Sequence, residues 1–426
     1  IHPMYLIIAA ILIALSGCSV VPEPFTQEEI RSRVKNDLSK LYANQEPVTG
    51  PITLHEAMAR ALAYNLEFRL ELHKKNLASN QLELSRYDQL PDVVLNINRD
   101  NRDDYSGASS RSLTTGLESL ETSTSSDKRV TSADFGLSWN VLDFGVSYYR
   151  AQQAADRILV AEEQKRKVIN RILKDVRNLY WRAVSNERLI ERVQALLVKV
   201  NDKLAESKRI EAQRLDTPLS ALIYQRELID SLRELQDLQE SLMLAKTELA
   251  AMMNLPPGQE YELAVPEKPE STPALGYSPQ FMEVLALENR SELREVSYNK
   301  RINSKQAKEA LLSLLPGLNF ELGTNYSSNS FLYTNNWLDA SARISWNLIN
   351  IFKYPSTKKL LESQSVLLDT QRLALSIAIL TQVHVGIVQY EHAKKEYLVA
   401  SDYNETQNKI LQQIQAAARA KSISPQ

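Results

Sequence analysis

The side chains able to do chemistry in this sequence do not assemble into a catalytic pattern. His2, His55, His73, His384 and His392 are scattered through 426 residues, with no HExxH spacing and no Cys/His cluster. No glycine-rich phosphate loop and no GxSxG nucleophile elbow occurs. Two carboxylate pairs, Asp103-Asp104 and Glu162-Glu163, fall in a loop and on the polar face of a helix pattern, where solvated charge is the simplest reading. Cys18 is the single cysteine, so no internal disulfide can form. These observations predict neither catalysis nor a cofactor nor a metal site. A formal net charge of -2 offers no surface for a polyanion, so nucleic acid is excluded as a partner.

Cys18 does stand in a recognisable context. Met4 to Leu15 is a short apolar run, too short to span a bilayer comfortably and of the length of a signal-peptide core. Leu15-Ser16-Gly17-Cys18 follows it directly and resembles the lipobox of bacterial lipoproteins. That resemblance implies a signal peptide at 1–17, lipidation of Cys18, and a lipid-anchored tether over 18–52. Ser19 after the cysteine implies delivery to an outer membrane. A mean hydropathy of -0.32 is too polar for a bundle of membrane-spanning helices.

The elements that would organise such a chain are long helices. Ala151 to Asn254 contains no glycine and one proline. Ile169, Ile172, Val176, Leu179 and Ala183 share a stripe, extended by Leu189, Val193, Leu196, Val200 and Leu204. Leu228, Leu232, Leu235, Leu238, Leu242, Ala245, Leu249 and Met252 form a second. This rhythm predicts a coiled-coil-like antiparallel hairpin. Its tip falls at Asp216-Thr217-Pro218, where Asp216 or Thr217 suits an N-cap and Pro218 the first helical turn. Arg209 and Arg214 flank that tip. The first helix, of about sixty residues, would reach on the order of 90 Å.

Ahead of the hairpin the period changes to two. A helix from Thr53, with a capping-box pattern, runs to about Asp88. Strand 91–104 then alternates Val93, Leu95 and Ile97 with Val94, Asn96 and Asn98. Strand 131–144 alternates Phe135, Leu137, Trp139 and Val141 with Asp134, Gly136, Ser138 and Asn140. Between them Tyr105 to Arg129, rich in Ser and Thr, reads as a mobile loop on a wet face.

The chain then repeats itself. After a proline-rich linker, 255–277, the run Leu287 to Arg294 matches Leu62 to Arg69, Leu315-Pro316 matches Leu90-Pro91, and Ser345-Trp346-Asn347 matches Ser138-Trp139-Asn140. The first repeat is 53–254 and the second 278–426. In the second, strand 316–328 sets Leu318, Phe320, Leu322 and Tyr326 against Asn319, Glu321, Gly323 and Asn325. Strand 335–349 sets Leu338, Ala340, Ala342, Ile344, Trp346 and Leu348 against Asp339, Ser341, Arg343, Ser345 and Asn347. A long helix, 355–421, carries Ile377, Leu380, Val383, Ile387 and Tyr390 on one face. By alignment it should turn near 422–426, with Pro425 matching Pro218, so the counterpart of Leu219 to Asn254 would lie beyond Gln426.

Four strands, each apolar on one side and polar on the other, suit lipid outside and water inside a closed barrel. The smallest bacterial barrels use about eight strands, so several copies would have to contribute to one. With the lipobox and the order of elements, the duplicated pattern resembles the TolC family of outer-membrane efflux channels over about residues 20 to 421. The resemblance implies a mainly α fold with membrane β: tandem-repeat antiparallel coiled-coil helices and two β-hairpins that give four strands to a trimeric twelve-stranded barrel. It implies a homotrimer in outer-membrane lipid, joined through a periplasmic adaptor (membrane fusion) protein to an inner-membrane transporter, exporting small molecules or secreted proteins. Asn96, Asn98, Asp134, Asn140, Glu321 and Arg343 would face the lumen. The alternative is a periplasmic coiled-coil scaffold or adaptor lipoprotein without a pore, which would have no need of four amphipathic strands.

Overall fold

The computed structural model describes residues 22–119, 121–213, 218–267 and 272–419. Cys18 with its apolar run, Arg214, Asp216 and Thr217 of the tip, and the turn expected near 422–426 lie outside the described residues.

The repeat shows first in where the helices break. Helix α1 (Gln27–Leu41) begins at a reciprocal cap between Thr26 and Glu29. In α2 (Leu54–Tyr64) the Thr53 side chain accepts from the Glu56 amide at 3.2 Å. The single helix expected from Thr53 to Asp88 is interrupted. Asn65 leaves helical geometry at ψ 124°, and α3 (Leu66–Tyr87) follows.

The first hairpin contains β1 (Asp92–Asn101), a small inserted pair β2 (Gly107–Ala108) and β3 (Ser123–Thr124), and β4 (Arg129–Asn140). The Ser/Thr-rich loop is therefore partly organised: β2 pairs with β3, and Arg111 bridges to Glu118. Helix α4 (Val141–Ala212) starts at Val141 rather than 151, cutting the expected strand 131–144 short. The cause is Asn140, whose Oδ1 accepts from the Leu142 and Asp143 amides at 2.9 and 3.3 Å. Helix α5 (Pro218–Met252) returns, with Pro218 as its first residue.

The second repeat has the same plan. Between α6 (Pro279–Asn289) and α7 (Ser291–Leu312) the chain breaks at Arg290, ψ 125°, the position that aligns with Asn65. Next come β5 (Gly317–Ser327), β6 (Asn336–Ser345) and α8 (Ile349–Arg419). Asn347 caps α8 as Asn140 caps α4, its Oδ1 accepting from the Ile349 amide at 3.1 Å. The Ser-Trp-Asn motif is thus a strand-to-helix junction. Strands 91–104, 316–328 and 335–349 are each shorter than expected, and α8 begins before Pro355, which lies inside it.

The chain packs as two compact units. One joins the segment up to Asn65 with Lys174–Val265. Its core holds Ile52, Ala57, Ala61, Val176, Tyr180, Ala183, Val184, Leu249 and Met253. The run of α4 from Lys174 and α5 are antiparallel, tied by Lys246 to Glu187 at 2.6 Å and Gln225 to Glu211 at 2.8 Å. The heptad reading holds in part: Val176, Ala183 and Val193 are buried, whereas Leu189 and Leu196 are open. The segment expected as a plain linker is built into this core. Leu255, Tyr261 and Leu263 are buried, Ile52 bridges to Leu263, and the Tyr180 hydroxyl donates to the Ala264 carbonyl at 2.7 Å.

The other unit contains Leu66–Leu173 and the chain from Pro266 onward. Here α7 is held on both sides. Toward α4, Arg301 and Lys305 reach Asp156 at 2.5 and 2.7 Å, and Glu309 accepts from Arg150 and Gln153 at 2.7 and 2.6 Å. Toward α8, Lys300 binds Asp369 at 2.6 Å. Gly145 permits close approach of α4 and α7, because a Cβ there would meet Leu312 Cδ2 at 2.7 Å. On α8 the packed stripe includes Ile379, Leu380, Val383, Ile387 and Tyr390; Ile377, expected on it, points outward and is 66% exposed.

Candidate functional site

The feature that stands out is one four-stranded antiparallel sheet, in the order β1-β4-β5-β6. Its register carries a single amphipathic pattern across both repeats. Val93 pairs with Leu137, Leu137 with Leu322, and Leu322 with Ala340. Leu95, Phe135, Thr324 and Leu338 form the next row, and Ile97, Ala133 and Tyr326 the one beyond, which ends in the polar Asn336 on β6. A one-residue slip anywhere would turn a whole strand over, so the match across strands from two repeats is a strong constraint.

The opposite face is polar. Asn96, Asp134 and Asn325 share a row with Trp337, and Ser138, Glu321 and Ser341 share another. Asn140, Asn319 and Arg343 form a third, and Asn98 pairs with Ser132. Asn96 Nδ2 donates to Asp134 at 2.7 Å, Ser341 Oγ donates to Glu321 at 3.2 Å, and Asn325 donates to Asp339. All six polar strand residues singled out from the sequence therefore lie on one face. Asn140 has a second duty there, because its carboxamide caps α4. Val94, which the alternation sets beside Asn96 and Asn98, and Trp337 are apolar members of this face.

Among the described residues, none covers the apolar face or pairs with the two sheet edges. Leu95, Ile97, Leu338 and Ile344 are 62, 70, 73 and 73% exposed. β1 and β6 each leave one row of backbone donors and acceptors without a neighbouring strand. At the loop end the two hairpins lock together. Asp127 accepts from the Ser330 amide at 2.7 Å, and the Ser328 hydroxyl accepts from the Thr131 amide at 2.8 Å. At the helix end Trp346 donates to the Leu314 carbonyl at 3.0 Å, and Trp139 meets Phe144 edge-on.

The charged groups of the helices serve packing. Glu162 and Glu163 are not the solvated pair expected: their side chains are 22 and 4% exposed. Glu162 binds Lys75 at 2.7 Å and Lys165 at 3.0 Å, and Glu163 binds Arg166 at 3.0 Å. The Lys75 hydrogen bond leads in holding the Glu162 carboxyl below its ordinary range. Lys75–Glu162 and Lys300–Asp369 occupy aligned positions, so the repeat preserves an ion pair that joins the first helix of this unit to the long one in each half. Aligning the repeats lysine by lysine would have revealed it. For Asp156 burial opposes the charge, and Arg301 and Lys305 overcome it, leaving the carboxyl below its ordinary range. Asp103 and Asp104 do lie in the loop, where Lys128 contacts both residues.

Among the described residues, no group of three or more His, Cys, Asp or Glu side chains is placed to hold a metal ion. A groove of about 670 Å³ runs between α4, α5 and residues 255–262. Its Lys246 is already engaged by Glu187 and lies over the Tyr261 ring. Among the described residues, one helical stretch, Ile349–Ala417, is long and apolar enough to cross a membrane by length and composition, and almost none of its apolar part is buried.

No protein-family model and no curated protein matches this sequence. Solved structures do match it in shape. The chain superposes on CusC, a structure concerned with folding and transmembrane channel formation, with a TM-score of 0.62 and 17% identity, over 90% of this chain and 87% of that one. The open-state MtrE outer membrane channel of Neisseria gonorrhoeae matches with a TM-score of 0.60 and 14% identity, over 86% of this chain and 79% of that one. The CmeC outer membrane channel of Campylobacter jejuni matches with a TM-score of 0.60 and 12% identity, over 96% and 86%. The chain has the fold of these channels, which is the fold that the sequence resemblance implied.

Proposed function

We propose that this chain is one protomer of an outer-membrane channel, and that three copies close its four-stranded sheet into a twelve-stranded barrel. The observation that carries this reading is a sheet with a continuous, exposed apolar face, a continuous polar face and two open edges. A soluble protein would leave a costly apolar patch and two adhesive edges in water. In a bilayer both are resolved, since lipid covers the apolar face and β1 of one copy pairs with β6 of the next. Asn96, Asp134, Glu321 and Arg343 then line a wet lumen of mixed charge, and the long helices wall a periplasmic conduit.

The helices support the same assembly. Where α7 of the second repeat binds α4 of the first, it uses Arg301, Lys305 and Glu309. The aligned positions on α3 are Asn76, Asn80 and Leu84, all exposed. Their counterpart surface on α8, at Thr357, Leu360 and Ser363, is also largely open. Pseudo-symmetry pairs these two faces between neighbouring copies, with Leu84 against Leu360. Further copies continue the ring, and twelve strands exceed the minimum for closure.

The channel performs no chemistry of its own. It passes solutes or secreted proteins outward, driven by an inner-membrane transporter coupled through a periplasmic adaptor, with Cys18 lipidated and the Asp216-Thr217-Pro218 turn at the periplasmic mouth. Planar-bilayer recording of the purified full chain tests the pore: discrete, stable conductance steps are expected. A protein that binds membranes without conducting would favour the scaffold or adaptor alternative and end the channel reading.

A further inference from the structure

The four main strands distribute charge unevenly. Their carboxylates, Asp92, Asp100, Asp134, Glu321 and Asp339, all register on the polar face. Arg343 lies there too. Arg99 and Arg129 do not. Arg99 pairs with Thr131 and Arg129 with Asn101, in the same alternation as Val93, Leu95, Ile97, Phe135 and Leu137. Both are on the apolar face, in the two rows that follow its last apolar row, Ile97–Ala133–Tyr326, at the end where the strands enter their loops.

The two arginines are diagonal neighbours on adjacent strands, a relation that sets Cα atoms about 7–8 Å apart. Both are exposed. Neither has a carboxylate partner among the described residues, and the nearby acids are occupied elsewhere. Asp100 accepts from Asn98 at 3.0 Å on the other face, Asp127 accepts from Ser330, and Asp104 faces Lys128. A long side chain at this height buries its methylene stem along lipid and brings its guanidinium to the headgroup layer. Guanidiniums carried by diagonal neighbours just above an apolar band edged by Tyr326 can converge on one phosphate monoester or diester, which suits their bidentate chemistry.

We propose that Arg99 and Arg129 form a binding site for a phosphorylated lipid headgroup in the outer leaflet, one site per protomer around the barrel. The proposal rests on the channel reading, which makes this face lipid-facing and this end the outer one. The occupant is a lipid rather than a free anion, because the stems and the adjoining Ile97 and Tyr326 supply an apolar surface for an acyl chain.

The test uses the purified full-length trimer in detergent, titrated with a bisphosphorylated diglucosamine lipid, its dephosphorylated counterpart, and sodium phosphate. The proteins are wild type, the double variant Arg99→Gln/Arg129→Gln, and Arg102→Gln as control. Arg102 continues the β1 register onto the opposite face, its amide donating to the Lys128 carbonyl at 2.8 Å. Wild type and control should prefer the phosphorylated lipid. With about fivefold from each near-surface arginine, the double variant should bind it about 25-fold more weakly. Equal binding of the two lipids, an unaffected double variant, or displacement of the lipid by equimolar sodium phosphate would each overturn the proposal. Planar-bilayer conductance of the same proteins separates the two readings. If all three conduct and lipid binding is unchanged by the double variant, the lipid site alone falls. If wild type does not conduct, the barrel falls and this site with it.

Discussion

The two repeats share an order of two short helices, two long strands and a long helix, and use it differently. In the first, α3 binds α4 through Lys75–Glu162; in the second, α7 binds α8 through the aligned pair Lys300–Asp369. On α7, in addition, Arg301 and Lys305 clamp the other repeat's long helix. Asp156 with Arg301 and Lys305, and Glu309 with Arg150, hold the halves of this unit together within one chain. At the aligned places α3 presents Asn76, Asn80 and Leu84, and α8 presents Leu360 and Ser363. A junction inside a chain forms at high effective concentration and tolerates buried charge. One between copies is better served by apolar and neutral polar groups, which need less desolvation to dock.

That contrast can be broken from either side. The largest effect should come from Leu84→Asp or Leu360→Asp, which places a charge in the junction proposed between copies. Trimer should fall by more than tenfold in native mass measurement while the far-ultraviolet dichroism of the protomer is retained, because both sites are open in the single chain. Within the chain, Asp156→Asn leaves Arg301 and Lys305 without their shared carboxylate. About 2–3 kcal/mol of stability should be lost by chemical denaturation, less than for a fully buried pair because Arg301 is half exposed.

The same residue sets an acid limit. Its carboxyl is held below the ordinary aspartate value of 3.8, so the folded state binds its proton less readily than the unfolded chain. The stabilisation is fully present above that value and is lost as pH falls through the lower folded one. Acid unfolding of wild type should show this loss, and Asp156→Asn should remove it. A smaller effect separates the two strand-to-helix junctions. Asn140→Ala, which removes two accepted amide bonds, should cost about 1–2 kcal/mol, and Asn347→Ala, which removes one, about 1 kcal/mol.

Much of this architecture was legible because it is periodic. Alternation over Val93–Ile97, Phe135–Trp139, Leu318–Leu322 and Leu338–Ile344 located the strands and their faces, and the Leu-Pro and Ser-Trp-Asn pairs located the repeat. The missing parts lack a local signal. The breaks at Asn65 and Arg290 contain neither glycine nor proline, and the apolar rhythm runs through them. The helix starts at Val141 and Ile349 depend on one asparagine side chain that the alternation assigns equally well to a strand. The Asp156–Arg301–Lys305 cluster joins residues remote in sequence, and the packing of Leu255, Tyr261 and Leu263 depends on Ile52 and Tyr180, far back along the chain. Ile377 was misplaced because α8 is apolar on more than one side, so periodicity alone does not choose the packed stripe.

The central claim is that two open sheet edges of one chain are closed by its copies. In a Cys18→Ser background, single cysteines at Asn96 on β1 and Asp339 on β6 of the same chain can be joined by a short bifunctional thiol reagent after membrane insertion. If β1 of one copy lies beside β6 of the next, the products on a denaturing gel should be dimer and trimer, ending at trimer, with neither single-cysteine variant giving a trimer. A ladder running past three copies, or no cross-linked product in protein that has inserted, would contradict the account.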